Sequence, residues 1–504
     1  MGSLYSQFQI QAQRHADKTA LIYEGNTYTY AEILNRADKW AEHFCQIQPA
    51  RPRVAILTDH PLHIISATLG LAKIDGVSIP SNSSMHPDQL SPIWRACDVN
   101  IVLREPYQSD LGTQHKLPGV IEVSPGDEDA STGTQQNLVR KSAETDFLIT
   151  FSSGSTGQPK PIVISQDVKL KRAQQAWDMY ELTSEDVVLC ASPFYHSLGQ
   201  RHVFVALLMG ATLVYMKRFT PRDWLALVAK HKVTFFTAVS THLYALKDSL
   251  MDNVDQLKSL KTIVTSSAPI DAQFKEDLYK AINCQFHEIY GTSEVACATN
   301  LFPRDARTKS ATVGSLCDGV DLKILDQDRM AVGMGEVGEI AVRSPLAFEG
   351  YYQQPERTAA SFHDNYFLTG DLGFIDESGF LTYLTRQKDI IISGGINIYP
   401  KDIEETLSRH ERLKEIAVIG VVDDLLGEVI VAVCVTPNQE NLEKELRKIA
   451  NDTLAPFQRP LKYFFVDSLP LTSSGKVSKK TLRETYSPLN QGWTDPLRYL
   501  LYGQ

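Results

Sequence analysis

The sequence lacks any apolar run of the ~18 residues that a membrane-spanning helix needs. Its longest candidate, residues 203–216, is broken by Gly210. No charged-then-apolar leader pattern opens the chain. Met1-Gly2-Ser3-Leu4-Tyr5-Ser6 formally fits a myristoylation motif, and an ordinary start is the preferred reading. The seven cysteines (Cys45, Cys97, Cys190, Cys284, Cys297, Cys317 and Cys434) are scattered and never form Cys-x-x-Cys. That argues against a disulfide framework or zinc ribbon and for free thiols in a reducing, cytoplasmic compartment. Basic residues are no excess either: 50 Lys and Arg face 60 Asp and Glu, a net charge of −10. Nucleic acid is therefore not the expected partner. There is no internal repeat, no low-complexity tract beyond residues 126–136, and no Gly-x-Ser-x-Gly nucleophile motif.

What is present is an alternation of strands and helices over a 504-residue chain, too long for one core. Strands are expected at 53–57, 76–80, 146–151, 187–191, 211–215, 233–237, 262–265 and 285–290, with a helix at 61–73. Strand, helix, strand at this spacing predicts parallel α/β sheets with ligand loops at the strand ends. After about residue 320 the strands shorten (321–325, 338–342, 380–384), which predicts a small β subdomain. A helix at 400–409 and strands at 415–421 and 429–435 predict a separate α+β module. The expected division is a large domain, 1–386, and a small mobile C-terminal domain, 387–504. The polar entry Arg386-Gln387-Lys388-Asp389 is the candidate hinge. The tail beyond Glu484, with Trp493, is expected to pack on the small domain.

The most unusual composition lies in Phe151-Ser152-Ser153-Gly154-Ser155-Thr156-Gly157-Gln158-Pro159-Lys160-Pro161. Glycines let a backbone approach phosphate closely, hydroxyls and amides donate to its oxygens, and Lys160 supplies charge. Taken alone, such a loop is better read as a polar surface turn. It is not a Walker A motif, because the flanking prolines oppose a helix starting at Lys160. It reads instead as a mobile flap continuing into a strand through Ile162-Val163-Ile164.

Four further segments follow in order: Tyr290-Gly291-Thr292-Ser293-Glu294, then Tyr366-Phe367-Leu368-Thr369-Gly370-Asp371, then Arg386-Gln387-Lys388-Asp389 running on to Gly394-Gly395, and finally Thr472-Ser473-Ser474-Gly475-Lys476. With the loop, they resemble the adenylate-forming superfamily of acyl- and aryl-CoA synthetases, peptide-synthetase adenylation domains and firefly-type luciferases. The resemblance runs from about Leu4 to about Glu484, and its pattern is most similar to the acyl-CoA ligases.

The resemblance implies an ATP-dependent activation of a carboxylic acid to an acyl-adenylate, then transfer to a thiol. It implies ATP, Mg²⁺, and CoA or a carrier protein's phosphopantetheine arm. By it, Ser152, Ser153, Gly154, Ser155, Thr156, Gly157 and Lys160 embrace the β- and γ-phosphates. Tyr290 with Gly291 and Ser267-Ala268-Pro269 enclose adenine, Ser293 meets the α-phosphate, and Glu294 holds the metal. Asp371 accepts the ribose hydroxyls, assisted by Arg386. Lys476 bridges carboxylate and α-phosphate, Lys388 marks the hinge, and Gly395 lines the thiol's tunnel. Gly395 also reads as a tight turn needing positive φ.

The acid-binding pocket is expected from Phe194, His196, Ser240, Thr265, Ser266, Val295 and Ala296. Amino-acid-activating relatives place an Asp near Phe194-Tyr195-His196-Ser197; this chain has none there, so an α-amino acid is disfavoured and a fatty or aryl acid favoured. Departures are Pro161, where the family usually has glycine, and Ser266-Ser267, where larger ligases often have glycines. The alternatives are an enzyme loading a carrier protein in natural-product assembly and, from another class, a luciferase-like oxygenase or ligand-binding pseudoenzyme. Lys160, Glu294, Asp371 and Lys476 argue against the last.

Overall fold

A computed structural model describes residues 3–48, 50–105, 119–130, 146–152, 160–266, 270, 272–472, 476–490 and 492–494. Among these, strands form four sheets. In one, Thr212–Tyr215, Val187–Cys190, Phe235–Val239, Thr262–Ser266 and Gln285–Thr292 lie side by side and parallel. Their Val-, Ile- and Phe-rich runs are buried almost throughout, as a sheet covered on both faces requires. Gln285–Thr292 then turns back antiparallel through Ala296–Leu301.

In the second sheet Arg53–Leu57, Val77–Pro80 and Ile101–Arg104 are parallel, and Asp146–Ser152 joins them. The next strand, Lys160–Ser165, runs antiparallel to Asp146–Ser152. The antiparallel direction has a simple reason. Only residues 153–159 separate the two strands, and a parallel crossover needs about a dozen or more. The two strands that flank residues 153–159 thus form a hairpin.

The hairpin feeds the helix Gln166–Tyr180, whose first turn is capped by the Ser165 side chain accepting from Val168 N at 3.2 Å. A neighbouring helix, Ser197–Leu207, packs against it.

The expected β subdomain is an antiparallel set built on Asp321–Leu325, Gly338–Arg343, Tyr366–Ile375 and Leu381–Arg386. The smaller C-terminal domain pairs Glu415–Asp423 with Gly427–Val435, and Lys462–Val466 with the latter. Helices Pro400–Leu407 and Leu442–Thr453 cover one face of this sheet and Lys479–Tyr486 the other. Trp493 rests 6.0 Å from the Phe464 ring, and the Thr494 hydroxyl donates to Asp423 Oδ2 at 2.9 Å. The tail therefore packs as expected as far as residue 494. No helix among the described residues is long and apolar enough to cross a membrane.

Candidate active site

A cleft of about 2550 Å³ is lined by both domains. Its first wall is the β subdomain. Strand register sets Asp371 directly opposite Arg386. Asp371 is only 3% exposed. The Tyr290 hydroxyl donates to Oδ2 at 2.9 Å, and Arg386 Nε lies 3.0 Å from Oδ1. That second approach is close enough for an ion pair but off the direction of a hydrogen bond, so Oδ1 is enclosed without a donor. Burial raises the carboxyl's pKa, against the pull of Arg386 and Tyr290. A buried acceptor without a donor fits a ligand hydroxyl.

The second wall is the bend between Gln285–Thr292 and Ala296–Leu301. A Cβ at Gly291 would lie 1.8 Å from the Ala296 carbonyl oxygen, so no side chain fits. Ala296 itself is left-handed, with φ +62°, which costs about 1–2 kcal/mol. Arg172 offsets that strain. Its guanidinium donates to the carbonyls of Ser293 (3.1 Å), Glu294 (3.0 Å) and Leu346 (2.8 and 3.0 Å). The bend presents Glu294, whose Oε1 accepts from the Tyr351 hydroxyl at 3.0 Å. Its other oxygen has no hydrogen bond among the described residues, a donor set that fits a hard cation. Lys160 Nζ stands 5.3 Å above the Tyr351 ring. Burial lowers its pKa, and Glu294 opposes the shift.

The third wall is the C-terminal domain. Lys476 follows residues 473–475 and is held at its backbone by Thr472, whose Oγ1 accepts from Lys476 N at 3.1 Å. Its neighbours in the cleft are Arg386, Asp371 and Glu294. Crowding by both domains and then Arg386 push the ammonium down to about 8, against the two carboxylates. The side chain still meets cleft water, which tempers the push. Lys388 also lines the cleft, on the turn Gln387–Asp389, where Asp389 accepts from Arg483 at 2.9 Å.

The acid-side wall contains Phe194, His196, Ser240, Ser266 and Ala296. Thr265 and Val295 do not reach it: both are fully buried, and in a strand Thr265 points opposite its neighbour Ser266. Gly395 does not line the cleft either. With Gly394 it forms the two-residue turn between Ile391–Ser393 and Ile396–Ile398, at φ +57° and +79°. Ser153, Gly154, Ser155, Thr156, Gly157 and Ser267-Ala268-Pro269 lie outside the described residues, as does the Ser152 side chain.

Sequence reasoning missed Tyr351, Arg172, Lys169 and Arg201, all of which line the cleft. A signal for one existed. Val168, Arg172, Ala176 and Tyr180 recur every four residues and form the buried face of their helix.

Residues 8–352 match the family described as AMP-binding enzyme, and residues 402–476 match the AMP-binding enzyme C-terminal domain. A long-chain-fatty-acid–CoA ligase of Bacillus subtilis is 28% identical over 521 residues, 94% of this chain and 92% of the relative. A fatty acid–[acyl-carrier-protein] ligase of Streptomyces coeruleorubidus is 26% identical, covering 97% of this chain and 96% of that one. Among solved structures, ATP-bound MatB from Rhodopseudomonas palustris superposes with a TM-score of 0.88 at 28% identity, covering 97% of this chain and all of its own.

Proposed function

The chain belongs to the AMP-binding enzyme family, and from that premise we propose that it activates a fatty or aryl acid with ATP and passes the acyl group to the thiol of CoA. In the first half-reaction a carboxylate oxygen attacks the α-phosphorus of ATP. An O–P bond forms between the carboxylate and the α-phosphorus, the α–β anhydride breaks, and pyrophosphate leaves. In the second, a thiolate attacks the acyl carbon and AMP leaves. No enzyme nucleophile is needed; positioning and charge compensation do the work.

The observation that carries this reading is the convergence of Lys160, Glu294, Asp371, Arg386 and Lys476 on one cleft. Lys476 would bridge the carboxylate and the α-phosphate. Asp371 would take the ribose through its undonated oxygen. Tyr290 lines the cleft with its hydroxyl tied to Asp371, and its ring would stack on adenine. Ser152, Ser153, Gly154, Ser155, Thr156 and Gly157, with Lys160, would close on the outer phosphates, and Ser293 would face the α-phosphate. Glu294 would hold Mg²⁺, which screens the negative charge of the phosphates.

The large domain is taken to end at Arg386 and the C-terminal domain to turn about Lys388. Gly395 sits away from the cleft in the present arrangement, so a tunnel role for it would belong to the turned one. Scattered thiols fit a cytoplasmic setting.

Pyrophosphate release across a panel of carboxylic acids, each with CoA, a pantetheinylated carrier protein or neither, tests this. Release with thioester formation on CoA is expected. Acyl transfer to the carrier protein alone would reassign the acceptor. No pyrophosphate with any acid would overturn the activity.

A further inference from the structure

Three cations line the acid-side wall, none in an ion pair with a carboxylate among the described residues: Lys169 and Arg172 on the helix Gln166–Tyr180, and Arg201 on the helix Ser197–Leu207. Lys169 is 3% exposed. It donates to Gln200 Oε1 at 2.8 Å and lies 5.6 Å from the Phe204 ring centroid. Gln200 is fully buried, yet its Nε2 has no acceptor. Arg201 has an enclosed Nη2 that also has none. Only Arg172 is fully occupied, by carbonyls.

Among the described residues no carboxylate acts on Lys169 or Arg201; Arg201 bonds to the Cys297 thiol and lies near Cys317 and Tyr180, while Arg172 feels Glu294 and Glu349. Burial presses the Lys169 ammonium down, and the groups that act on it are Arg172 and Arg201, both positive. Lys160 and Lys476, by contrast, feel Glu294 and the groups around Arg386. Neither of the two acts on Lys169 or Arg201. Glu294 is the one carboxylate common to both ends, through Arg172. The cleft thus holds two separate cationic groups, and the bend carrying Glu294 lies between them. The triphosphate accounts for one. The other lies beside Phe194 and Phe204, where the acid's far end must go if its carboxylate meets Lys476.

Burying several cations without a counter-charge is costly, and a site so built is completed by an anion that arrives with its ligand. We propose that the acid this enzyme activates carries a second anionic group at its far end, a carboxylate in the simplest case, held by Lys169, Gln200 Nε2 and Arg201. This rests on the acid-activating reading above and names the substrate class for it.

The wild-type enzyme is assayed for pyrophosphate release with α,ω-dicarboxylic acids from succinate to sebacate. Their monomethyl esters, which match them in shape but lack the second charge, are assayed in parallel. One diacid should exceed its half-ester in kcat/KM by about 30-fold or more, the low end for losing one partner of a buried charge pair. Lys169→Met should erase that preference through KM for the diacid while leaving KM for ATP unchanged. Half-esters or plain monoacids that match or beat every diacid would overturn the inference and leave acid activation standing. A Lys169→Met effect on KM for ATP would instead assign the cations to the triphosphate and overturn it. Pyrophosphate from neither class would sink the activity, and this inference with it. The wild-type comparison decides the matter even if the variant does not fold.

Discussion

The two ends of the cleft handle charge in opposite ways. At the nucleotide end every cation has a carboxylate at hand: Arg386 beside Asp371, Lys160 and Lys476 within reach of Glu294, Lys388 next to Asp389. At the acid end no carboxylate among the described residues acts on Lys169 or Arg201: Lys169 has only the two arginines beside it, and Arg201 has the Cys297 and Cys317 thiols and the Tyr180 phenol. Where the protein supplies both signs, the geometry is set before any ligand arrives, which is what charge development at the α-phosphate needs. Where it supplies one sign, the ligand has to bring the other, and the site becomes a filter rather than a catalyst.

The largest break in this contrast is Lys476→Ala. It removes the cation that only the C-terminal domain brings to the paired end. Adenylate formation, followed as pyrophosphate release, should fall by about 10²–10³-fold. Thioester formation from a supplied acyl-adenylate should survive. Equal loss of both steps would end the division of labour between the half-reactions. The pH profile sharpens the point. With the ammonium pushed down to about 8, its charge is present below that pH and is lost as pH rises through it. Adenylate formation should therefore decline on that limb. Lys476→Arg, which stays charged, should remove the limb even if its rate is lower.

The paired end was legible in the sequence because its residues sit in short motifs within or just after strands, where chemistry and local pattern coincide. Asp371, Glu294, Tyr290 and Lys476 were all named from motifs, and all line the cleft. The unpaired end was not, for a reason visible in Lys169, Lys171 and Arg172. Three basic residues in four read as a solvated helix face. In the fold Lys171 does face water, pairing with Asp167, while its neighbour Lys169 is turned inward. Only packing against the helix Ser197–Leu207 separates them. Likewise the helix Pro61–Lys73 and the strand Asp321–Leu325 fall where periodicity put them. Periodicity carries no strand direction, so the antiparallel pairing of the strand that begins at Lys160 was not legible. Tyr351 holds Glu294 across a long sequence gap that no local pattern records.

A smaller break is Asp371→Asn. The amide offers one acceptor where the carboxylate offered two, and it leaves Arg386 beside a neutral group. KM for ATP should rise by about 30-fold, in the range for truncating one member of a buried charge pair. KM for the acid should hold, because Asp371 has no part in the unpaired end. A joint rise in both would mean that the two ends are coupled more tightly than the charge distribution indicates.

The smallest expected effect is Pro161→Gly, which touches neither end directly. Pro161 lies in a strand between Asp146–Ser152 and the short strand Gly350–Tyr351, and its carbonyl accepts from Tyr352 N at 2.9 Å. In a strand, a residue's nitrogen and carbonyl face the same side. The nitrogen without a hydrogen therefore faces Tyr352, just past the end of Gly350–Tyr351, and the ladder with Asp146–Ser152 loses nothing. Glycine would restore a donor but free the backbone, costing about 0.4–1 kcal/mol of stability through the unfolded chain. KM for ATP should stay at the wild-type value while the midpoint of unfolding drops slightly. A rise in KM for ATP of about ten-fold, or 1.4 kcal/mol, would mean that the fixed φ at Pro161 aims the hairpin tip at the phosphates. The paired end would then extend one residue further along the strand than its charges do.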